Sequence, residues 1–299
     1  MQNEPLVSVI MNCYNGEEYL CDAIDSVINQ TYKNWEIIFW DNQSTDRSAK
    51  IFKGYNDKRL KYYLAPSHAN ILYEARNYAL KKVNGDFIAF LDVDDWWVEN
   101  KLEKQIPLFD DDEIGLLYGN FWLFYQRTKK KKIFKRKLPS GMIVNNLLND
   151  YVIGSATYVI RKNFLDKGKY YFNENFHIIG DFDLNVRFAS QFQINCLQEP
   201  VAFARRHANN ESLLNKNRDI DELKIWYDEH KNNSIFPSKN SLYKVHLNIL
   251  YLEIYRDLLN NKFSKNFLKI IKYPLSIKQI KLIVALLLPK FILKKIQTY

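Results

Sequence analysis

Residues 87–91 are continuously apolar and rich in aromatic side chains, and they give way at once to Asp92, Asp94 and Asp95. So short an apolar run reads as a strand buried on both faces rather than as a helix. The side-chain period of two along an extended chain then places Asp92 and Asp94 on the same side. Two acids at the mouth of a buried strand repel each other. A hard divalent cation, Mg²⁺ or Mn²⁺, would cancel that repulsion through oxygen ligands and grip a substrate diphosphate. The plainer explanation is that the aspartates end the strand and cap the next helix.

The residues before this run repeat one unit. Residues 6–11 are mostly apolar and β-branched, as in a buried first strand. Turn residues follow over 12–16, and Leu20, Ala23, Ile24, Val27 and Ile28 then fall at helical spacing, with Glu17 and Glu18 where the helix dipole favours acids. Residues 35–40 predict a second strand, and 41–46 a polar loop in which Ser44 or Asp46 caps a helix near 47–53. A third strand over 61–64 and a helix over 70–82, carrying Arg76 and Asn77, lead into the run that ends at Asp92. Strands alternating with helices predict a mostly parallel sheet with helices on both faces and right-handed crossovers. Ligands bind such sheets beyond the carboxyl ends of the strands, so the 12–17 loop, Asp41 and the 92–95 acids are expected along one rim.

The second half has another rhythm. Residues 114–125 predict a long strand, and the lysine-rich stretch up to Lys137 the far side of a hairpin. A strand over 155–161 follows Gly154, a helix opens within 177–184 and runs to about 190, and 196–204 is strand-like. Beyond Glu211 the pattern is largely helical, with Leu242, Val245, Ile249 and Leu252 as one stripe. No Pro/Gly-rich linker or repeat intervenes, and the expected division is an α/β part over 1–236 and a basic helical extension over 237–299.

Composition narrows the function classes. At 47% hydrophobic and 15% aromatic, 299 residues bury one good-sized core plus an appendage and exclude a disordered chain. The first residues lack a basic start and an apolar stretch, so a cytosolic amino terminus is expected. Cys13, Cys21 and Cys196 have no metal-type spacing and read as packing residues of a reducing compartment. Much of the net charge of +9 lies in residues 128–137 and in the tail beyond Lys262. Such surfaces suit nucleic acid, anionic lipid or a phosphorylated substrate. No nucleic-acid reading module accompanies them, so the first is not expected.

Taken together, the loops resemble the inverting glycosyltransferases of family two, which have the GT-A fold. The resemblance covers about residues 5–215 and rests on motifs in the family's order: residues 7–10 with Tyr14 and Asn15, Asp41 with 44–46, 75–77, Gly85-Asp86, 91–95, and Gly180-Asp181. It implies that Asp41 accepts a hydrogen bond from the uracil imide of a UDP-sugar, as a carboxylate is able to do. Tyr14 with the backbone around Asn12 and Asn15 would pack base and ribose, Glu17 would order that loop, and Arg76 would face the donor. Val93 lies between the acids of the donor site. Asp92 would hold ribose or a metal-bound water, Asp94 would ligate Mn²⁺ or Mg²⁺ directly, and His207 resembles a late histidine that in some relatives adds a ligand. Asp181 resembles the family's general base. The plainer readings are a helix cap for Asp46, a surface ion pair for Arg76 and a structural role for His207.

The chain departs from the family pattern in places. It reads Asp41-Asn-Gln-Ser44 where an Asp-Asp-Gly-Ser run is frequent, and Gly180-Asp181 where a Glu-Asp pair is common. It lacks a Gln-x-x-Arg-Trp sequence and a set of membrane spans, which implies single-sugar transfer and not processive synthesis. The implied acceptor is a growing, lipid-linked bacterial surface glycan. The apolar run 282–288 is too short to cross a bilayer, which takes about 20 residues. With its flanking lysines it suits a helix lying in the headgroup region of an anionic membrane, on the cytoplasmic face, or one docked on this chain or a twin subunit. A noncatalytic nucleotide-binding scaffold and a sugar nucleotidyltransferase are the rival readings.

Overall fold

A computed structural model describes residues 4–215, 217–233, 236, 239–260 and 263–288. Contacts divide the chain into two compact units, Met1–Leu213 and Leu214–Tyr299, a break ahead of the position near 236 expected from sequence.

In the first unit strand β1 (Val7–Cys13) is followed by helix α1 (Leu20–Ile28), β2 (Trp35–Asp41), α2 (Ser48–Lys53), β3 (Leu60–Leu64), α3 (Leu72–Leu80) and β4 (Phe87–Phe90). These four strands lie parallel in the order β3-β2-β1-β4. Every residue of β2 and β4 is buried, so neither strand shows polar alternation, as befits strands covered on both faces. Each fully buried large apolar side chain stabilises by about 1.5–3 kcal/mol.

The sheet continues with mixed pairing. Short β5 (Trp96–Trp97) and α4 (Lys101–Gln105) precede the long β6 (Ile114–Tyr125), which turns into the antiparallel β7 (Lys130–Ile133). Helix α5 (Val144–Asn149), β8 (Val159–Arg161), α6 (Lys162–Gly168), α7 (Gly180–Ala189) and β9 (Gln193–Arg206) complete the unit's sheet and its cover. The order extends as β4-β8-β6-β9-β5, with β8 antiparallel to its neighbours and β6 parallel to β9. The strand expected over 155–161 is shorter, because Ser155–Thr157 form a 3-10 turn, closed by Thr157 Oγ1 donating to the Gly154 carbonyl at 2.7 Å. Cys21 is exposed and not a packing residue.

Two close approaches set the carboxyl rim. A Cβ on Gly119 would lie 2.6 Å from Val201 Cγ2, so only glycine lets β6 and β9 meet there, at an irregularity in their register. At the start of α7 a Cβ on Gly180 would lie 2.4 Å from two ring carbons of Tyr73 on α3. That is the physical reason for glycine at the position where the family often has glutamate: the Tyr73 ring occupies the room.

After α8 (Glu211–Leu214), the second unit holds α9 (Arg218–His230), α10 (Lys239–Leu259), α11 (Phe263–Lys272) and α12 (Ile277–Leu287). Its core joins Ile254 and Leu258 of α10 to Ile270, Tyr273, Leu282 and Ala285. Helix α12 thus packs on its own unit through Leu282 and Ala285, and leaves Ile280, Val284 and Leu287 exposed. No helix among the described residues is long and apolar enough to cross a membrane. Residues 289–299, with Pro289, Lys290, Lys294 and Lys295 of the expected tail, lie outside the described residues.

Lys101, wholly buried, donates to Gln105 Oε1 at 2.7 Å and sits 4.1 Å over the Trp97 ring. Desolvation pushes its amine well below the ordinary lysine range. Between that lowered value and the unfolded one near 10.4 the unfolded chain binds more protons, so this residue makes stability rise with pH. Lys101→Met is expected to flatten the rise in unfolding midpoint between pH 7 and 9.5, and an unchanged slope would contradict the assignment. Gly180→Ala is expected to destabilise by about 1–3 kcal/mol through overpacking on Tyr73. In urea unfolding, adding Tyr73→Ala should cost less than the sum of the single changes; strict additivity would exclude the clash.

Candidate active site

Parallel register brings the strand ends together: Cys13 of β1 lies opposite Asp41 of β2, and the Leu91 amide donates to the Ile10 carbonyl at 3.0 Å. The loop after β1 is stitched to the loop after β2. Asn15, at φ 52°, accepts through Oδ1 from the amides of Thr45 (2.8 Å) and Asp46 (3.3 Å), and its own amide donates to Ser44 Oγ. The Glu17 amide donates to Asp46 Oδ2 at 2.9 Å while Glu17 Oε2 accepts from the Arg47 amide and Nε. Asn15 and Glu17 therefore order the loop, and Asp46 adds a bond from the Ser48 amide at the start of α2. Tyr14 stays 52% exposed with its ring tilted against His68 at 4.4 Å, a free face for a planar base. The Asn12 amide atoms are buried with no partner among the described residues. Val93 packs on Gly16, where a Cβ would lie 2.7 Å from Val93 Cγ2.

Asp41 is 1% exposed, and both its oxygens already accept: Oδ1 from the Ser44 amide at 2.8 Å, Oδ2 from the Tyr62 hydroxyl at 2.6 Å. The two departures beside it are compensated locally. Asn42 donates through Nδ2 to the Ala69 carbonyl and accepts through Oδ1 from the Ala69 amide, both at 2.8 Å, a pairing an aspartate cannot make. Gln43 stands at φ 65° where glycine is easier, and its side chain holds it there by donating to the Ala65 carbonyl.

Arg76 is not a surface ion-pair residue. At 2% exposure its Nη1 donates to both oxygens of Asp181, at 2.8 and 2.9 Å, and its Nη2 to Asp92 Oδ1 at 2.5 Å and Ser155 Oγ at 3.0 Å. The guanidinium thus ties the strand-end acid of β4 to the first turn of α7. Asp181 also accepts from the Tyr158 hydroxyl at 2.9 Å and, at 3.2 Å, from the Tyr73 hydroxyl, whose one proton is shared with the Ile178 carbonyl at 3.0 Å. Burial pushes both phenols well above the ordinary tyrosine range, with Asp181 reinforcing the shift, so they remain proton donors at any working pH. Loss of water, opposed by Arg76 and reinforced by Asp94, raises the Asp92 carboxyl.

Asp94 faces the other way along the rim. Its Oδ2 lies 2.9 Å from His207 Nε2 and accepts from Asn210 Nδ2 at 3.0 Å, while His207 Nδ1 is buried without a partner among the described residues. Arg205 fixes this corner: its amide donates to Asp95 Oδ1, its Nε to the Asp94 carbonyl and its Nη2 to Asp22. The guanidinium sits between the rings of Tyr19 and Trp96, 4.5 Å from each. Desolvation, and then Asp94 and Asp92, push the Asp95 carboxyl well above its usual range. Among the described residues no group of three or more His, Cys, Asp or Glu side chains is arranged to hold a metal, so Asp92, Asp94 and His207 are not a closed cage. Crowded acids with a raised carboxyl, however, fit the hard-cation mode in which one or two carboxylates leave the other positions to substrate phosphates.

Sequence reasoning missed Tyr73, Tyr158, Ser155, Arg205 and Asn210. Tyr73 had a signal, since it precedes Arg76 by one helical turn on α3. Tyr158 and Asn210 had none, being brought in by β8 and by the turn after β9. A separate cleft of about 780 Å³ opens at the opposite pole, between Pro5, Tyr32, Asp86, Phe109 and Arg161. It contains none of the rim acids.

Known proteins resemble this chain to different depths. The chain is 38% identical over 161 residues to the Escherichia coli UDP-Glc:alpha-D-GlcNAc-diphosphoundecaprenol beta-1,3-glucosyltransferase WfgD, covering 54% of this chain and 62% of WfgD. It is 32% identical over 159 residues to the putative teichuronic acid biosynthesis glycosyltransferase TuaG of Bacillus subtilis, covering 52% of this chain and 62% of TuaG. The matches thus span less than two thirds of those relatives. Among solved structures, S. aureus TarS 1-349 in complex with UDP-GlcNAc superposes with a TM-score of 0.63 at 19% identity, over 90% of this chain and 76% of that one. The mannosyltransferase PcManGT of Pyrobaculum calidifontis, in complex with GDP-Man and Mn²⁺, gives 0.63 at 13% identity, over 95% and 86%. At such identities the structural likeness establishes the fold, GT-A. Residues 8–185, more than half of the chain and every rim loop from β1 to Asp181, match the model of glycosyl transferase family 2, and the chain belongs to that family.

Proposed function

We propose that this chain is an inverting, non-processive glycosyltransferase that moves one sugar from a UDP-sugar to a hydroxyl of a growing, lipid-linked bacterial surface glycan. The observation that carries the reading is the Arg76 bridge, which holds an acid of the donor side, Asp92, and the candidate base, Asp181, on one buried cation. The UDP-sugar and diphospholipid acceptor named for WfgD support the substrate classes. A sugar nucleotidyltransferase would need a glycine-rich, basic phosphate loop after β1, where this chain has Asn12 to Gly16. A noncatalytic scaffold would bind donor without turnover.

The base and ribose lie on Tyr14 beside Asn12 and Val93, and the uracil imide donates to a remaining lone pair of Asp41, each of whose oxygens accepts one bond within the chain. Asp94, with Asp92 and His207, would hold Mn²⁺ or Mg²⁺. Such a cation, when bound, stabilises negative charge on the departing diphosphate. Asp181 receives the proton of the acceptor hydroxyl as its oxygen attacks the anomeric carbon opposite the diphosphate, which inverts the configuration. Arg76, Tyr73 and Tyr158 occupy about four acceptor positions of the carboxylate, so the hydroxyl must displace one donor. Tyr73, the longest of these bonds at 3.2 Å, yields most easily.

The second unit suits a peripheral position on the cytoplasmic face of the membrane. Helices α11 and α12 and the turn between them expose Phe267, Leu268, Ile271, Leu275, Ile277 and Ile280, interspersed with lysines. An interfacial helix has this mixture, and so does a face that pairs with a second copy.

With Asp181→Asn, sugar transfer is expected to fall by about 10²–10⁴-fold while UDP binding is kept; a wild-type rate would remove the proposed base. UDP release from a panel of UDP-sugars should require Mn²⁺ or Mg²⁺, and Asp94→Ala should abolish that dependence together with most turnover. Unchanged metal dependence in this variant would refute the ligand assignment, and an absence of turnover with every donor despite UDP binding would favour the scaffold.

A further inference from the structure

Residues 114–149 contain eight Lys or Arg and no Asp or Glu. They span the β6–β7 hairpin and the chain on to the end of α5, and seven of the eight cations, Arg127, Lys129 to Lys132, Arg136 and Lys137, are exposed. Among the described residues only Lys135 of this set has an acidic partner, Asp150 at 2.6 Å. Seven like charges over one short stretch of chain repel one another. A fold that merely needed a soluble turn would intersperse acids, as most surfaces do.

Position gives the charge a use. β6 runs parallel to β9, with Tyr125 opposite Arg206, and the Gln126 amide donates to the Arg206 carbonyl at 3.0 Å. The next residue after β9 is His207, whose Nε2 lies 2.9 Å from Asp94. The turn of the hairpin therefore rises from the same rim as the acids, one strand end from Asp94, and Arg205 Nη1 donates to Gln126 Oε1 at 3.1 Å to hold the two together. The ammonium groups of two of the lysines lie over aromatic rings, Lys131 Nζ at 4.6 Å from the Trp122 centroid and Lys129 Nζ at 5.8 Å from that of Phe124, which sets cationic heads beside apolar surface.

We infer that the tip of the β6–β7 hairpin docks on the acidic headgroups of a lipid bilayer and thereby turns the mouth of the active site toward the membrane surface. Headgroup phosphates match an array of point charges without directional demands, whereas single-stranded nucleic acid calls for open ring faces to stack on, and Trp122 and Phe124 are half-buried and lie under Lys131 and Lys129. The inference draws its sense from the lipid-linked acceptor proposed above, yet the binding is measured without turnover, so failure of either leaves the other readable. It concerns residues of the first unit alone.

The test uses the full chain and sedimentation with phosphatidylcholine vesicles, with and without 30 mol% phosphatidylglycerol. Wild type should bind only the acidic vesicles, and lose them at high salt. Each lysine near such a surface contributes about fivefold to partitioning, so replacing Lys129 to Lys132 with glutamine should weaken binding by at least ~50-fold, and replacement with arginine should preserve it. On the wild type, acidic vesicles should also protect these four lysines from acetylation. Wild-type partitioning of the glutamine variant, or lysines equally reactive with and without acidic vesicles, overturns the proposal. So does a variant that keeps vesicle binding and loses only an oligonucleotide or free UDP.

Discussion

A guanidinium removed from water has to be surrounded by negative charge, and at Arg76 that requirement fixes the geometry of the site. The cost of an unpaired buried ion is several kcal/mol, and breaking such a pair by removing one partner costs about 3–5 kcal/mol. Asp92 leaves the end of β4 and Asp181 leaves the first turn of α7, 89 positions later in the chain, and both must meet the same planar cation. The fork of donors in arginine does this where the single point charge of lysine would not. The strand end and the helix start are thus held in mutual register by electrostatics that neither element supplies alone.

The same arrangement explains why the candidate base is so heavily solvated by protein. Four donor contacts fix the Asp181 carboxylate in orientation, and both phenols are too strongly buried to lose their protons. Orientation and access pull against each other here, because every donor that aims the carboxylate also satisfies a lone pair the substrate would use. An uneven cage resolves the conflict: Arg76 and Tyr158 hold at 2.8–2.9 Å while the Tyr73 contact is the longest.

Much of the first hundred residues was legible because their signals are local. The apolar runs of β1, β2 and β4 and the helical spacing in α1 each specify an element, and the parallel crossover rule then collects the strand ends on one rim without further information. Arg76 was legible as a site residue and illegible in its role, since a helical arginine on sequence alone fits an exposed ion pair as well as a buried tie. Tyr158 could not be read at all. It reaches Asp181 only because β8 runs antiparallel beside β4, a pairing that depends on the whole sheet. The strand expected over 155–161 begins late for a similar reason, with Thr157 turning its hydroxyl onto the Gly154 carbonyl so that extended pairing starts only at Val159.

The departures from the family's motifs follow one rule, which is that each is matched by a partner elsewhere in this chain. Asn42 gives up a charge and gains a two-way bond with Ala69; Gln43 accepts a left-handed backbone and is held there by Ala65. Gly180 gives up a carboxylate, and the space goes to the Tyr73 ring, whose hydroxyl then reaches Asp181. A motif scored one position at a time counts each of these as a loss. Measured by what the rim must do, hold the loop after β2 closed and aim one carboxylate, they are exchanges, and the hydrogen bonds that complete them lie outside the motif, where only the folded chain brings them into view.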